Sequence, residues 1–457
     1  MKKLREFFEL KKASIFLITL PYLSFNYENI IHSPFFSFTQ LIFIFTFILL
    51  IDLLIKSILF KLNEKMHTTI SLFIVFINIL FFYGHYISSF IQKQFKENFH
   101  IMIRGRTIIE FSIILFILLI LILRKKTIHY KYLNVFLVLF SGISLFTSII
   151  NTNEKIKQEF KSTFVPIPLN NIPIKPILLI ISDEYTSPDG LYKIYKDSSI
   201  YEFSNELVNK GWITKNSFYS YETSTIHSIS SLFNFNLSKN KLYGDEAIQN
   251  IGITRLVHAS IVDSLEKKKV DIINFGIFHV GNHKYLNKLY RYPTSFIEDI
   301  LMNTIYYKIE NYIININKSG LDGLSGSYYS MENHNKYIFN HLADTSNILT
   351  NNKTFIYTHL YMPHTPMQYK PDFPIRTENL VNYKAYWNFT NQKLEPLLKS
   401  LIKENKYRLI LTGDHGYRTD RRINPHYTFT AFYGFNQESI DKIHSVQDLG
   451  SLIYGGF

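Results

Sequence analysis

A chain of 457 residues has room for two or three domains, and with 47% apolar, 16% aromatic and only 19% charged side chains it carries too few charges for a wholly soluble protein. The formal net charge of +13 is spread over short basic loops beside apolar stretches, which suits anionic lipid, and no element able to read bases accompanies it, so nucleic acid is excluded as a partner. The complete lack of cysteine excludes disulfides and thiolate-held zinc.

In chain order, apolar stretches lie near 14–27, 36–60, 68–91, 107–123 and 132–150. About 20 helical residues cross a hydrocarbon core of roughly 30 Å, so these are read as five membrane spans within a domain covering 1–151. Lys2, Lys3, Arg5, Lys11 and Lys12 precede the first span, Lys61 and Lys65 follow the second, and Arg124, Lys125, Lys126 and Lys131 follow the fourth. This bias places the N-terminus in the cytoplasm and everything after 151 outside. The connection carrying Lys93, Lys96, Arg104 and Arg106 runs against the bias and reads as an interfacial amphipathic helix.

Residues 152–176 are polar and then proline-punctuated, a linker leaving the membrane. From 177 to 457, a continuous apolar run at 177–181 and similar, largely apolar runs at 270–275, 354–361, 407–411 and 429–435 alternate with helical patterns near 199–210, 225–233, 254–267, 327–348 and 382–404. Runs without polar interruption are those of strands buried on both faces, and the alternation predicts an α/β domain with a mostly parallel sheet.

Ligands of open α/β sheets gather at the carboxyl ends of strands. Here three such ends carry acids or histidines. The run at 177–181 ends in Ser182-Asp183-Glu184, the run at 354–361 holds His359 and leads to His364, and the run at 407–411 ends in Asp414-His415-Gly416, with His426 following. One strand-end acid is ordinarily a turn former or cap. Three together favour a mixed oxygen and nitrogen site for a divalent cation. A fourth element, Tyr221–Phe233 (YETSTIHSISSLF), sets Thr223, Ser224 and Thr225 ahead of an apolar helical face. Such hydroxyls commonly cap helices, but one at a helix N-terminus beside a divalent cation is also placed to be a nucleophile. His227 reads as a first-turn helix residue, and His279 and His283 as a lesser source of a further contact.

These four elements, LIISDEYTS, TSTIHS, HLYMPHTP and LTGDHG, resemble the alkaline-phosphatase/sulfatase superfamily, and most closely its membrane-anchored lipid A phosphoethanolamine transferases and lipoteichoic acid (phosphoglycerol) synthases. The resemblance implies an alkaline-phosphatase-like α/β/α catalytic domain behind a multi-helix transmembrane domain. It implies a multi-pass protein of the bacterial inner (cytoplasmic) membrane with the catalytic domain extracytoplasmic. Residue by residue, it implies that Glu184, Thr225, Asp414 and His415 hold zinc, with Thr225 the nucleophile and Asp183 able to join; one or two ions are expected, with manganese or calcium as alternatives. His364, His426 and His359 fall to substrate binding or a second metal. The implied partners are a phospholipid donor and an envelope glycolipid or glycan acceptor. The lack of cysteine and the basic YRTDRR after Asp-His-Gly depart from the transferases and bear on donor and acceptor. No Cys or Ser stands in a C/S-x-P-x-R setting, which sets aside formylglycine chemistry. A phosphodiesterase or phosphatase, and a non-catalytic envelope scaffold, are the competing readings.

Overall fold

The computed structural model describes residues 38–59, most of 69–82, 173–234, most of 252–283, 326–343, 351–364, 367–370, 373–375, 379–403 and 405–457, with a few isolated positions. The chain divides into two compact units, one of residues 1–159 with 293–316 and one of 160–292 with 317–457.

In the first unit, helix α1 (Phe38–Leu59) is 22 residues long, or about 33 Å at 1.5 Å per residue. Its window Ile42–Leu59 has a mean hydropathy of 2.5 and is long and apolar enough to cross a membrane. Phe43, Phe47, Leu50 and Leu54 are exposed along it. A shorter apolar helix runs over Thr69–Phe82. The expected span at 107–123, and nearly all of those at 14–27 and 132–150, lie outside the described residues, as does most of the linker at 152–176.

The second unit is a three-layer α/β/α sandwich. Its elements are β1 (Ile177–Ser182), α2 (Pro188–Tyr195), α3 (Glu202–Asn209), β2 (Ile213–Tyr219), α4 (Thr225–Asn234), α5 (Ser260–Lys267), β3 (Asp271–Phe275), α6 (Gly326–Ala343), β4 (Thr354–Leu360), the small pair β5 (Met367–Lys370) and β6 (Phe373–Ile375), α7 (Leu380–Lys403), β7 (Arg408–Gly413), β8 (Tyr427–Tyr433), α8 (Gln437–Asp441) and α9 (Leu449–Gly455). The main sheet has the order β2-β8-β7-β1-β4-β3. β3, β4, β1 and β7 are mutually parallel, and only β8 opposes its neighbours. All five apolar runs are strands of this sheet.

The direction of β8 follows from its connection. Residues 414–426 contain no helix, and a strand returning without a crossover helix pairs antiparallel. β2 had no apolar run to announce it. It is an edge strand, ITKNSFY, with mostly half-buried side chains.

β1 shows why continuous runs mark the centre of such a sheet. Ile177, Leu179 and Ile181 join one core with α4, α5 and α9, through Ile229, Leu232, Val262, Leu265 and Leu452. Leu178 and Ile180 join the opposite core with α3, α6 and α7, through Leu207, Ile338, Tyr383 and Trp387. Each fully buried aliphatic side chain is worth about 1.5–3 kcal/mol, so both faces hold β1 in register. The polar ends of β1, β4 and β7 are thereby delivered to one edge.

Candidate active site

Register alone brings the strand ends together. β1 pairs with β7 so that Ser182 stands beside Gly413, and with β4 so that Ser182 stands beside Leu360. Asp183 and Asp414, each one residue further on, therefore emerge side by side. Asp183, Asp414 and His415 are buried, and each offers a ligand atom within 4.8 Å of the others.

Two glycines permit this approach. A Cβ on Gly413 would stand 2.0 Å from Thr428 Oγ1 and 2.8 Å from the Tyr185 carbonyl; one on Gly416 would stand 2.5 Å from the Tyr427 carbonyl. Glu184 adopts a left-handed backbone with φ 63°, which costs energy for a residue with a Cβ. The conformation is held by its amide donating to Asp414 Oδ1 at 2.9 Å and by Tyr383 donating its hydroxyl to the Glu184 carbonyl at 2.5 Å.

Thr225 opens α4, and its hydroxyl donates to Asp183 Oδ1 at 3.2 Å with His415 Nε2 at 3.3 Å. His415 Nδ1 lies 2.8 Å from the Gly416 carbonyl, which assigns the proton to Nδ1 and leaves the Nε2 lone pair facing Thr225. Asp414 is anchored through its main chain, because Ser220 and Ser228 both donate hydroxyls to its carbonyl, at 2.8 and 2.7 Å.

The electrostatics favour a cation. Burial by itself would raise the Asp183 pKa, but His364, then His359 and His415, outweigh it and hold the carboxyl well below the ordinary range. Asp414 Oδ2 is buried and has no hydrogen-bond partner, with His415 Nε2 3.3 Å away. A buried carboxylate oxygen without a donor is costly unless a cation meets it. The donor set of two carboxylates and an imidazole suits zinc.

The remaining expected residues are distributed around this cluster. The Glu184 carboxylate accepts from Arg418 Nε at 3.0 Å and lies outside the three-residue group. His359 is fully buried, with Tyr357 OH 2.9 Å from its Nδ1 and Asp183 Oδ2 3.8 Å from its Nε2, so it stands behind Asp183. His364 Nε2 lies 3.1 Å from Arg418 Nη2. His426 turns its Nδ1 to the Ser220 carbonyl at 2.8 Å and stacks on Tyr219, one layer removed from the acids. His227 is buried on α4, where burial and then Arg255 lower its pKa to about 4, and His283 pairs with Glu266. Arg418 was not singled out by the sequence, although it belongs to the basic run after Asp-His-Gly; its side chain is 38% exposed. Burial would lower its pKa, but Glu184, and then Asp183 and Asp414, more than reverse this. Gln447 Nε2, which donates to Ser228 Oγ at 3.2 Å, left no trace in the local sequence.

Residues 175–438 match the family described as Sulfatase, and the chain belongs to that family. No curated protein matches the sequence significantly. Among solved structures, the chain is similar to the C-terminal periplasmic domain of phosphoethanolamine transferase EptC from Campylobacter jejuni, at 16% identity and TM-score 0.37, over 64% of this chain and 91% of that one. It is similar to the integral membrane lipooligosaccharide phosphoethanolamine transferase EptA from Neisseria meningitidis, at 13% identity and TM-score 0.38, over 97% and 93%. It is also similar to the lipoteichoic acid synthase LtaP from Listeria monocytogenes, at 14% identity and TM-score 0.37, over 60% and 69%. Likeness of this degree transfers no activity.

Proposed function

We propose that the chain is a membrane-anchored, metal-dependent transferase that moves a phosphoryl substituent, phosphoethanolamine or phosphoglycerol, from a phospholipid to an envelope glycolipid or glycan. The observation that carries this reading is the Thr225 hydroxyl at the N-terminus of α4, within 3.3 Å of both Asp183 and His415. In this reading residues 1–151 form the membrane domain, 152–176 the linker and 177–457 the catalytic domain, facing outward from the bacterial cytoplasmic membrane. The apolar exposed length of α1 and the lysine and arginine bias of the loops support the anchor.

Asp183, Asp414 and His415, with Glu184 at the rim, would hold a divalent cation, zinc or in its place manganese or calcium, and such a cation supplies the electron withdrawal that makes a threonine hydroxyl ionisable near neutral pH. Thr225 gives up its hydroxyl proton toward Asp183 Oδ1, the oxygen to which it already donates, and attacks the donor phosphorus. The Oγ1–P bond forms as the bond from phosphorus to the diacylglycerol oxygen breaks, and that oxygen takes up a proton. Thr225 stands at the N-terminus of α4, and the first-turn N–H groups and dipole of a helix favour an anionic phosphoryl group there. An acceptor hydroxyl then attacks the same phosphorus, the Oγ1–P bond breaks, and Thr225 recovers its proton.

The test is a reaction of the detergent-solubilised full chain with phosphatidylethanolamine or phosphatidylglycerol and a glycolipid acceptor. Diacylglycerol release should require Thr225, and mass spectrometry should find the phosphoryl substituent on the Thr225 peptide. Undiminished release by Thr225→Ala would overturn covalent transfer. Free phosphoethanolamine or glycerophosphate as the sole product, with acceptor present, would replace transfer by hydrolysis.

A further inference from the structure

The sequence after Asp-His-Gly, YRTDRR, is basic, and the structure gives one of those basic residues a place at the site. Arg418 spans three elements of it. Its Nε donates to Glu184 Oε1 at 3.0 Å, its Nη2 lies 3.1 Å from His364 Nε2, and its Nη1 reaches the Thr223 carbonyl at 3.4 Å. Thr223 is two residues before Thr225, so the guanidinium stands between the strand end after β1 and the loop that enters α4.

The two halves of this side chain differ. The Glu184 side chain is 3% exposed, whereas that of Arg418 is 38% exposed. The Nε edge is thus committed inward, and the terminal amino groups make the two exposed contacts, to an imidazole nitrogen at 3.1 Å and a carbonyl at 3.4 Å. A contact at 3.4 Å to a carbonyl is at the weak limit of a hydrogen bond and yields to a charged acceptor. Charge balance asks for such a group. Asp183, Glu184 and Asp414 bring three carboxyl groups, formally three negative charges, to one edge of the sheet. A divalent cation offsets two of them, and an anionic substrate would still meet a net repulsive site. The guanidinium offsets the third.

We propose that Arg418 is the anion-receiving side chain of this site, holding Glu184 through Nε while its two terminal amino groups bind phosphoryl oxygens of the substrate. The assignment rests on the transferase reading for the identity of the anion, a phosphodiester, and on this geometry for the residue. A guanidinium suits the task because its fixed fork engages a carboxylate on one edge and two phosphoryl oxygens on the other, which an ammonium cannot do.

The experiment is calorimetric titration of the metal-loaded full chain in detergent with inorganic phosphate and, separately, with glycerophosphoethanolamine, alongside elemental analysis of each preparation. Arg418→Gln keeps an N–H donor for Glu184 and removes the charge; it should weaken both ligands about tenfold or more while retaining its metal. Arg418→Lys preserves the charge and hence the setting of Glu184, and should fall between the wild type and Arg418→Gln. Binding of glycerophosphoethanolamine by Arg418→Gln within twofold of wild type would overturn the proposal. So would loss of binding only together with the metal, or wild-type affinity in Arg418→Lys. Thr225→Ala separates the two readings. Turnover surviving that change defeats the covalent mechanism, whereas phosphate affinity that still depends on Arg418 stands by itself.

Discussion

Thr225 Oγ1 and Asp183 Oδ1 are 3.2 Å apart although 42 residues separate them in the chain. Thr223 has no comparable place: its carbonyl meets Arg418 at 3.4 Å, and that contact belongs to the main chain. Thr225→Ala should therefore lower turnover by at least about 10⁴-fold, the scale of losing a nucleophile, with folding unchanged. Thr223→Ala keeps the carbonyl and should retain most of the activity. Initial rates on a fluorescent phospholipid decide between them; a dead Thr223→Ala beside an active Thr225→Ala would reverse the assignment.

Asp414 links the cation cluster to the backbone of Glu184, accepting from the Glu184 amide while its second oxygen lacks any donor. Asp414→Asn removes the charge and places an amide against His415. We expect metal affinity to fall at least about 100-fold, read by elemental analysis after dialysis against a weak chelator. Full metal retention would mean that the cluster does not need this carboxylate.

Gly413 ends β7 where Thr428 Oγ1 and the Tyr185 carbonyl crowd the position a Cβ would take. Gly413→Ala must push β8 or the turn after β1 aside, at a cost of about 1–3 kcal/mol. The same shift displaces Asp414 and His415, so lower thermal stability and lost metal should appear together. Normal stability with normal metal content would refute the steric account.

His334, on α6, is fully buried and hydrogen-bonds the His359 carbonyl at 2.8 Å. Burial lowers its pKa from 6.5 to about 4. The unfolded chain therefore binds this proton at higher pH than the folded one, and stability is lost as pH falls from about 6.5 toward about 4. The loss from this residue is on the order of 3 kcal/mol. Thermal unfolding of wild type and His334→Gln across that window should show a shallower pH dependence in the variant; equal slopes would place the titration elsewhere.

The layering and the contents of the strand ends are legible in local composition alone. Ile177–Ile181 is a continuous apolar run, and Tyr407–Leu411 is broken only by the buried Arg408, because both faces of a central strand are buried, and that pressure is written locally in each residue. The acids and histidines that follow those runs are legible for the same reason, because the end of each run marks the sheet edge; the hydroxyl cluster ahead of α4 is legible from the apolar helical face behind it. Contacts between segments far apart in the chain arise only in the closed fold. Arg418 reaches Glu184 across 234 residues, and Ser220 and Ser228 reach the Asp414 carbonyl across 194 and 186. A hydrogen bond between two polar side chains imposes no period on either segment, so it leaves no local pattern to read. The edge strand β2 carries no apolar run because half-burial leaves it a mixed composition, and the reversal of β8 depends on the path of the loop at 414–426. Glu184 shows the limit most plainly. Its position after β1 was readable, but whether its carboxylate turned to the acids or to a guanidinium depended on a residue whose approach only the closed sheet could set.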